Sequence, residues 1–252
     1  MTNPKARLDD SATCHVLRED PCLAQRIPAG RRARAEDACI ARTLTISRGR
    51  WSDRPAGGCH DGIGLLVLEG LLLRRVDVGG RFGAELLGAG DLLRPWEDDD
   101  PEPMLRRATA WRTLETARLA VLDDGVMRCL VRYPPVIERL VARGLERSRR
   151  LAVNMAIVHQ PRVETRVHMM FWHLAERWGH AERGRMRLPL RLTHTVVADL
   201  TAARRPTVST ALSDLARRRM VCRVENGWLL AGEPPPAVIE LAGPAELLSA
   251  ER

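Results

Sequence analysis

The hydrophobic spacing of this chain changes at Pro134-Pro135, and that change restricts the fold more than any other feature. Upstream, residues 40–125 consist of short apolar runs broken by glycine. In DGIGLLVLEGLLLRRVDVGGRFGAELLGAGDLLRP the breaks are Gly62, Gly64, Gly70, Gly79, Gly80, Gly83, Gly88 and Gly90. Apolar runs separated in this way at about eight to ten residues predict antiparallel strands in a sandwich or barrel. TAWRTLETARLAVLDD adds two more expected strands, with Glu115-Thr116 near a turn. The acidic stretch WEDDDPEP, including Glu97–Asp100, interrupts the series as a surface loop.

Downstream, Ile137, Leu140, Val141, Leu145, Ser148, Leu151, Met155 and Val158 recur at helical spacing. This predicts an amphipathic helix of about six turns. Proline suits its start, where the missing N–H would have had no partner. Pro161 breaks or kinks the helix, so HQP reads as a hinge. RVETRVHMMFWHLAERWG then places Val163, Val167, Met170, Phe171, Leu174 and Trp178 on one side of a second helix that stops at Gly179. A long helix with one apolar stripe either packs on the strands or pairs with its twin. We read it as a dimerisation helix using Ile137, Val141, Leu145, Ser148, Leu151, Met155 and Val158.

The carboxy-terminal third carries the most specific pattern. RGRMRLPLRL alternates apolar and polar residues, as a short strand or hairpin does. Thr193 is placed to cap a short helix, THTVVADL, that buries Val196, Val197 and Leu200. TAAR makes a turn, and a helix from about Arg205 to Arg218 follows, with Pro206 in its first turn and Val208, Ala211, Leu212 and Leu215 facing inward. CRVENGWLLAG reads as two strands joined through Asn226-Gly227, a dipeptide that tolerates the positive φ angles of a tight hairpin. Helix, turn, helix and hairpin in this order make a winged helix-turn-helix, whose second helix enters the DNA major groove with its N-terminal residues towards the bases. Arg204 and Arg205 stand at its tip, and Ser209, Thr210 and Ser213 lie along its outer face. Arginine there can donate a bidentate pair to guanine, and small hydroxylated residues permit close approach.

Composition limits the alternatives. Lys5 is the only lysine, so the net charge of +8 and the pI of about 10.1 reflect arginine usage. Basicity favours nucleic acid only weakly; the placement of the arginines says more. The first residues hold no apolar run, and IGLLVLEGLLL is too short and too interrupted to span a bilayer, so a cytoplasmic protein without membrane attachment is expected. The six cysteines, Cys14, Cys22, Cys39, Cys59, Cys129 and Cys222, form no CxxC pair. They read as buried thiols; an iron–sulfur or redox sensor would draw on Cys14, Cys22, Cys39 or Cys59.

Taken together these segments resemble the Crp–Fnr family of bacterial transcription regulators over nearly the whole chain. VARGLERSRRLAVNMAIVHQPRVETRVHMMFWHLAE looks like the family's dimerisation helix, hinge and following helix. LRLTHTVVADLTAARRPTVSTALSDLARRRMVCRVENGWLL looks like its DNA-binding domain, and LLVLEGLLLRRVDVGGRFGAELLGAGDLLRPW like its effector-binding roll. The resemblance implies an α+β fold: an N-terminal antiparallel β-roll of the cyclic-nucleotide-binding jelly-roll type (1–132), a dimerisation helix and hinge (133–160), a winged helix-turn-helix (161–236) and a tail (237–252). It also implies a homodimer on an inverted repeat in double-stranded DNA, contact with RNA polymerase, and a small-molecule effector. Thr193, His194, Thr195, Arg204 and Thr207 fall at phosphate-contact positions. Arg205, Pro206 and Thr210 fall at base-reading positions, and Asn226 completes the DNA-facing set.

Two departures matter. The family's Arg, Glu and later Arg become Arg205, Pro206 and Thr210, so the operator cannot be copied from relatives. In the roll, Arg94-Pro95 stands where nucleotide-binding members place Gly-Glu, and Arg106 or Arg107 matches the phosphate-binding arginine only loosely. The phosphate signature of a cyclic nucleotide site is therefore not matched, and the effector is unidentified. A constitutive DNA-binding regulator whose roll serves only dimerisation or polymerase contact is the alternative. A cupin-like metal enzyme needs several converging histidines, yet residues 40–130 hold only His60, and His168 and His173 do not share a helix face.

Overall fold

The computed structural model describes residues 7–51, 62–96 and 104–235. Cys59, His60, the acidic run Glu97–Asp100 and the tail 237–252 lie outside the described residues. The chain divides into two compact units, Met1–Ala152 and Val153–Arg252.

The first unit begins with β1 (Arg7–His15), then three helices, α1 (Val16–Glu19), α2 (Pro21–Ala24) and α3 (Ala29–Ala38). The strands that follow are β2 (Ile40–Ile46), β3 (Gly49–Trp51), β4 (Gly64–Val78), β5 (Arg81–Gly88), β6 (Leu92–Leu93) and β7 (Ala108–Leu122). They form one antiparallel sheet in the order β1-β2-β7-β4-β5, with β3 on β7 and β6 on β4. Two expectations need correction here. TAWRTLETARLAVLDD does not hold two strands: residues 109–122 lie within the single 15-residue β7, and the stretch around Gly70 is interior to the 15-residue β4. Between Val67 and Leu72 the β4–β7 register shifts three times. Gly70 sits there at φ +94, where an added Cβ would lie 2.5 Å from the Thr116 carbonyl oxygen. The glycine makes a bulge that bends the strand pair without ending it.

Alternation along the bent strands fills two apolar clusters. One holds Leu44, Ile46, Leu65, Leu72, Leu87, Leu119 and Val121. The other joins Leu66, Ala120 and Leu122 to the helices through Leu17, Leu23, Ala35, Leu130, Tyr133, Val136 and Leu140. Leu130 belongs to α4 (Asp124–Leu130), capped by the Asp123 carboxylate, which accepts from the Val126 N–H. Val136 and Leu140 belong to α5 (Pro134–Val158), a single 25-residue helix.

The second unit carries α6 (Val163–Trp178), β8 (His180–Glu182), β9 (Arg185–Leu188), α7 (His194–Leu200), α8 (Arg205–Arg217), β10 (Val221–Val224) and β11 (Gly227–Leu230). The strands form a sheet in the order β10-β11-β9-β8, and α6 and α7 both pack on α8. Phe171 and Trp228 meet edge to face at 4.8 Å at the centre of this core. His168 is buried and accepts from the Trp172 indole N–H at 3.1 Å; burial pushes its pKa down and keeps it neutral. The hairpin differs by one residue from the sequence reading. Glu225 and Asn226 form its turn, and Gly227 already pairs with Val224. Glycine is required at 227 by close packing: at φ +145, a Cβ would lie 2.2 Å from the Leu188 carbonyl oxygen.

Candidate nucleic-acid interface

The second unit presents one face built from three helix or hairpin ends. Thr193 caps α7 by accepting from the Val196 N–H at 3.3 Å, which fixes the direction of that helix. The turn into α8 is equally determined. Thr201 is fully buried and its hydroxyl donates to the Val197 carbonyl at 2.8 Å; Ala202 takes φ +48, and the Ala203 N–H closes on the Ala198 carbonyl at 3.0 Å. Val208, Ala211, Leu212 and Leu215 then anchor α8 inward, as its spacing predicts. With that face buried, Arg204, Arg205, Pro206, Thr207 and Thr210 are exposed, along with Thr193 and Thr195.

His194 links the two helices. Its Nδ1 lies 2.8 Å from the Ser209 hydroxyl, which leaves Ser209 half-buried. Burial first, then the charges of Arg223 and Arg205, hold the imidazole below its ordinary pKa. That perturbation places Arg223, on β10, and Arg205, at the start of α8, in one positive field around His194. Asn226, at the tip of the hairpin, accepts from Arg191 at 2.5 Å. Arg191 and Arg223 were not singled out from the sequence, although both sit at solvent-facing positions of alternating segments. The hydroxyls of Ser209, Thr210 and Ser213 donate to the carbonyls of Arg205, Pro206 and Ser209 four residues back. Their protons are thus engaged; the Ser209 oxygen also meets His194, while the exposed Thr210 and Ser213 oxygens can accept from an amino group on a base edge.

The sequence-assigned effector arginines are not brought together in the same way. Arg94 is exposed, with its guanidinium 5.9 Å from the Trp96 ring centre, and Arg106 and Arg107 are exposed before β7. A cavity of about 270 Å³ lies elsewhere in the first unit, between the Asp91 turn and α5, lined by Asp91, Leu92, Arg143, Arg147, Ser148 and Leu151. Its arginines are already matched. Arg147 donates to both carboxylate oxygens of Glu85 (2.5 and 3.1 Å) and to the Leu92 carbonyl; Arg143 pairs with Asp20, and Arg150 with Asp91 at 3.1 Å. Along α5, Ile137 packs partly against the roll's apolar cluster and Leu151 is half-buried at the cavity, while Val158 is half-buried. Val141, Leu145 and Met155 are 59%, 56% and 62% exposed, and Ser148 is exposed beside them.

Residues 165–230 match the model of the Crp-like helix-turn-helix domain. The chain is 32% identical over 161 residues to the CRP-like cAMP-activated global transcriptional regulator of Mycobacterium tuberculosis, covering 64% of this chain and 70% of that one. The chain belongs to the Crp–Fnr family. Solved structures share its fold. A cyclic nucleotide-binding domain containing protein from Listeria monocytogenes EGD-e matches with a TM-score of 0.61 at 14% identity, over 84% of this chain and 96% of that one. A CooA mutant from Carboxydothermus hydrogenoformans matches with a TM-score of 0.59 at 17% identity, over 90% and 94% of the two chains. This Crp–Fnr protein is a DNA-binding transcription regulator. Among its described residues no helix is long and apolar enough to cross a membrane, and no three His, Cys, Asp or Glu side chains gather as a metal site.

Proposed function

We propose that this Crp–Fnr regulator acts in the cytoplasm as a homodimer on an inverted-repeat operator, with a small effector in the β-roll setting how α5 is held. The observation that carries the reading is the exposed apolar stripe of α5, Val141, Leu145 and Met155, on a helix whose adjoining face is fixed to the roll by Val136, Leu140, Arg143 and Arg147. Such a stripe covered by its two-fold mate would present the two α8 helices to half-sites one DNA turn apart, about 34 Å. Arg205 would read a base, Thr210 would accept from a base amino group, and Thr193, His194, Thr195, Arg204 and Thr207 would position phosphates. Arg223 and Arg191, with Asn226, extend the positive face towards the backbone.

The cAMP-activated relative supports a small effector, but the match of Arg143, Arg147 and Arg150 with Asp20, Glu85 and Asp91 favours a second reading. In it, these ion pairs hold α5 without a ligand and the protein binds DNA constitutively. Genomic-fragment selection with purified protein, with and without cyclic AMP, separates the two. An inverted repeat enriched only with the nucleotide supports gating; equal enrichment in both arms supports the constitutive reading. Recovery of isolated half-sites alone would contradict the dimer.

Roles within the interface are separable. Arg205→Ala is expected to cost about 1–3 kcal/mol and relax preference at one base position, whereas His194→Ala weakens binding evenly across sequences. Matching profiles for the two variants on wild-type and single-mismatch sites would contradict these roles. The pH dependence carries a sign. His194 is held neutral in the free protein, and a nearby phosphate would raise its pKa, so the bound state takes up a proton. Affinity should therefore rise as pH falls from neutrality into the ordinary imidazole range, and His194→Ala should flatten that slope in a fluorescence-anisotropy titration.

A further inference from the structure

Cys39 and Cys129 are separated by 90 residues in sequence, yet their sulfurs lie 3.2 Å apart. Cys39 ends α3 and is fully buried; Cys129 is in the last turn of α4 and half-buried. Both pack in the apolar cluster that also holds Leu130, Tyr133, Val136 and Leu140, the residues through which α4 leads into α5. We propose that Cys39 and Cys129 are a reversible dithiol–disulfide site, oxidised by small hydroperoxides, whose state sets how the start of α5 is held against the roll.

A disulfide needs the sulfurs at about 2.05 Å, so bond formation requires a closure of about 1 Å, within reach of side-chain rotation and a slight shift of the seven-residue α4. The two thiols differ in a way that orders the chemistry. Burial, and next the hydrogen bond to Cys129, push the Cys39 thiol up to about 12, so Cys39 keeps its proton and can donate it towards the Cys129 sulfur. Cys129, half-buried where Cys39 is sealed, is the sulfur an oxidant can reach. The Cys129 thiolate attacks the hydroperoxide; an S–O bond forms, the O–O bond breaks, and the alkoxide or hydroxide leaves and is protonated. Cys39 then attacks the sulfenic sulfur, its proton passing to the departing oxygen; an S–S bond forms, the S–O bond breaks and water leaves. Two thiols and one hydroperoxide give one disulfide, one alcohol or water, and one water. Two small thiols reverse the step by successive exchange, leaving as their own disulfide.

The effect on DNA rests on α5 being the dimer helix; the disulfide itself does not. The first readout is therefore chemical. The full-length protein is treated with hydrogen peroxide, alkylated and mapped by mass spectrometry without reduction. The expected product is a cross-linked pair of peptides holding Cys39 and Cys129, lost on adding dithiothreitol and absent from Cys129→Ser and Cys39→Ala. Peroxide consumption with cross-links only elsewhere, or with Cys129 oxidised and Cys39 left free, would overturn the site. The second readout is anisotropy on the DNA pool enriched in the genomic selection, where a change of about tenfold on oxidation is expected in wild type and none in Cys129→Ser. A clean cross-link with unchanged affinity would overturn the switch. A protein that forms the cross-link but binds no DNA in either state would instead count against the proposed operator binding.

Discussion

Leu145→Glu is expected to convert the protein to a monomer and to abolish tight operator binding. The reasoning begins with exposure. Leu145 is 56% exposed on a helix whose other side is anchored in the roll, so the protomer does not need it for its own core. Burying each such side chain against a partner is worth about 1.5–3 kcal/mol, and in a two-fold interface every residue counts twice. Glutamate removes that contribution in both copies and sets two carboxylates near the axis, where low dielectric magnifies their repulsion. Dimer dissociation should rise by at least about 100-fold in sedimentation equilibrium. Operator affinity falls with it, because two recognition helices on one dimer bind with an effective concentration that separate monomers lack. Helix content should be retained, as the substituted site faces solvent in the protomer. Leu140→Glu is the contrast: Leu140 is 3% exposed and packs in the roll, so this change should unfold the unit. A Leu145→Glu protein that remains dimeric would show that α5 does not form the interface.

The DNA-binding unit was legible in the sequence because its signals are local and redundant. Thr193, Pro206 and the inward spacing of Val208, Ala211, Leu212 and Leu215 each determine the same helices. The hairpin was displaced by one residue because the Asn-Gly pair has two possible sources. Gly227 answers to the Leu188 backbone, not to a turn with two positive φ angles. The roll was less legible. Glycine is read as the end of a strand, whereas Gly70 lies inside one and bends it, a distinction that depends on what the opposite strand places nearby. Helices α1–α3 carry little periodic signal: in AGRRARAEDA only Ala35 is buried, so the helix is held by its neighbours. The effector arginines expected from the resemblance, Arg94, Arg106 and Arg107, lie just outside the strands β6 and β7. Arg143, Arg147 and Arg150 were passed over because charge on a helix ordinarily marks the solvent face. Here it marks the face turned to buried carboxylates on residues far away in sequence.

Those carboxylates make the second large effect. Glu85→Ala is expected to destabilise the roll unit by about 3 kcal/mol, because removing one member of a mostly buried ion pair leaves an uncompensated charge. Glu85 is 9% exposed and receives Arg147 at 2.5 Å and Arg74 at 3.3 Å. Without it the two guanidiniums face each other across a site whose arginine side chains are only 23% and 27% exposed. The full cost of a sealed site is reduced because water can still reach both cations. For a unit of this size the midpoint should fall by roughly 10 °C in thermal melts. Replacing the pair together, as Glu85→Leu with Arg147→Met, should recover most of that loss, since matched apolar groups avoid desolvating either charge. Arg74 retains its place 5.7 Å from the Trp111 ring centre. The double variant then isolates the functional question. Its fold would be restored while α5 has lost one bidentate tie to the roll. If these ties hold α5 in place of a ligand, the double variant should bind the operator more weakly than wild type despite its recovered stability. Equal affinity in the two proteins would show that the Arg147–Glu85 pair serves the fold alone, and would return the control of α5 to an effector.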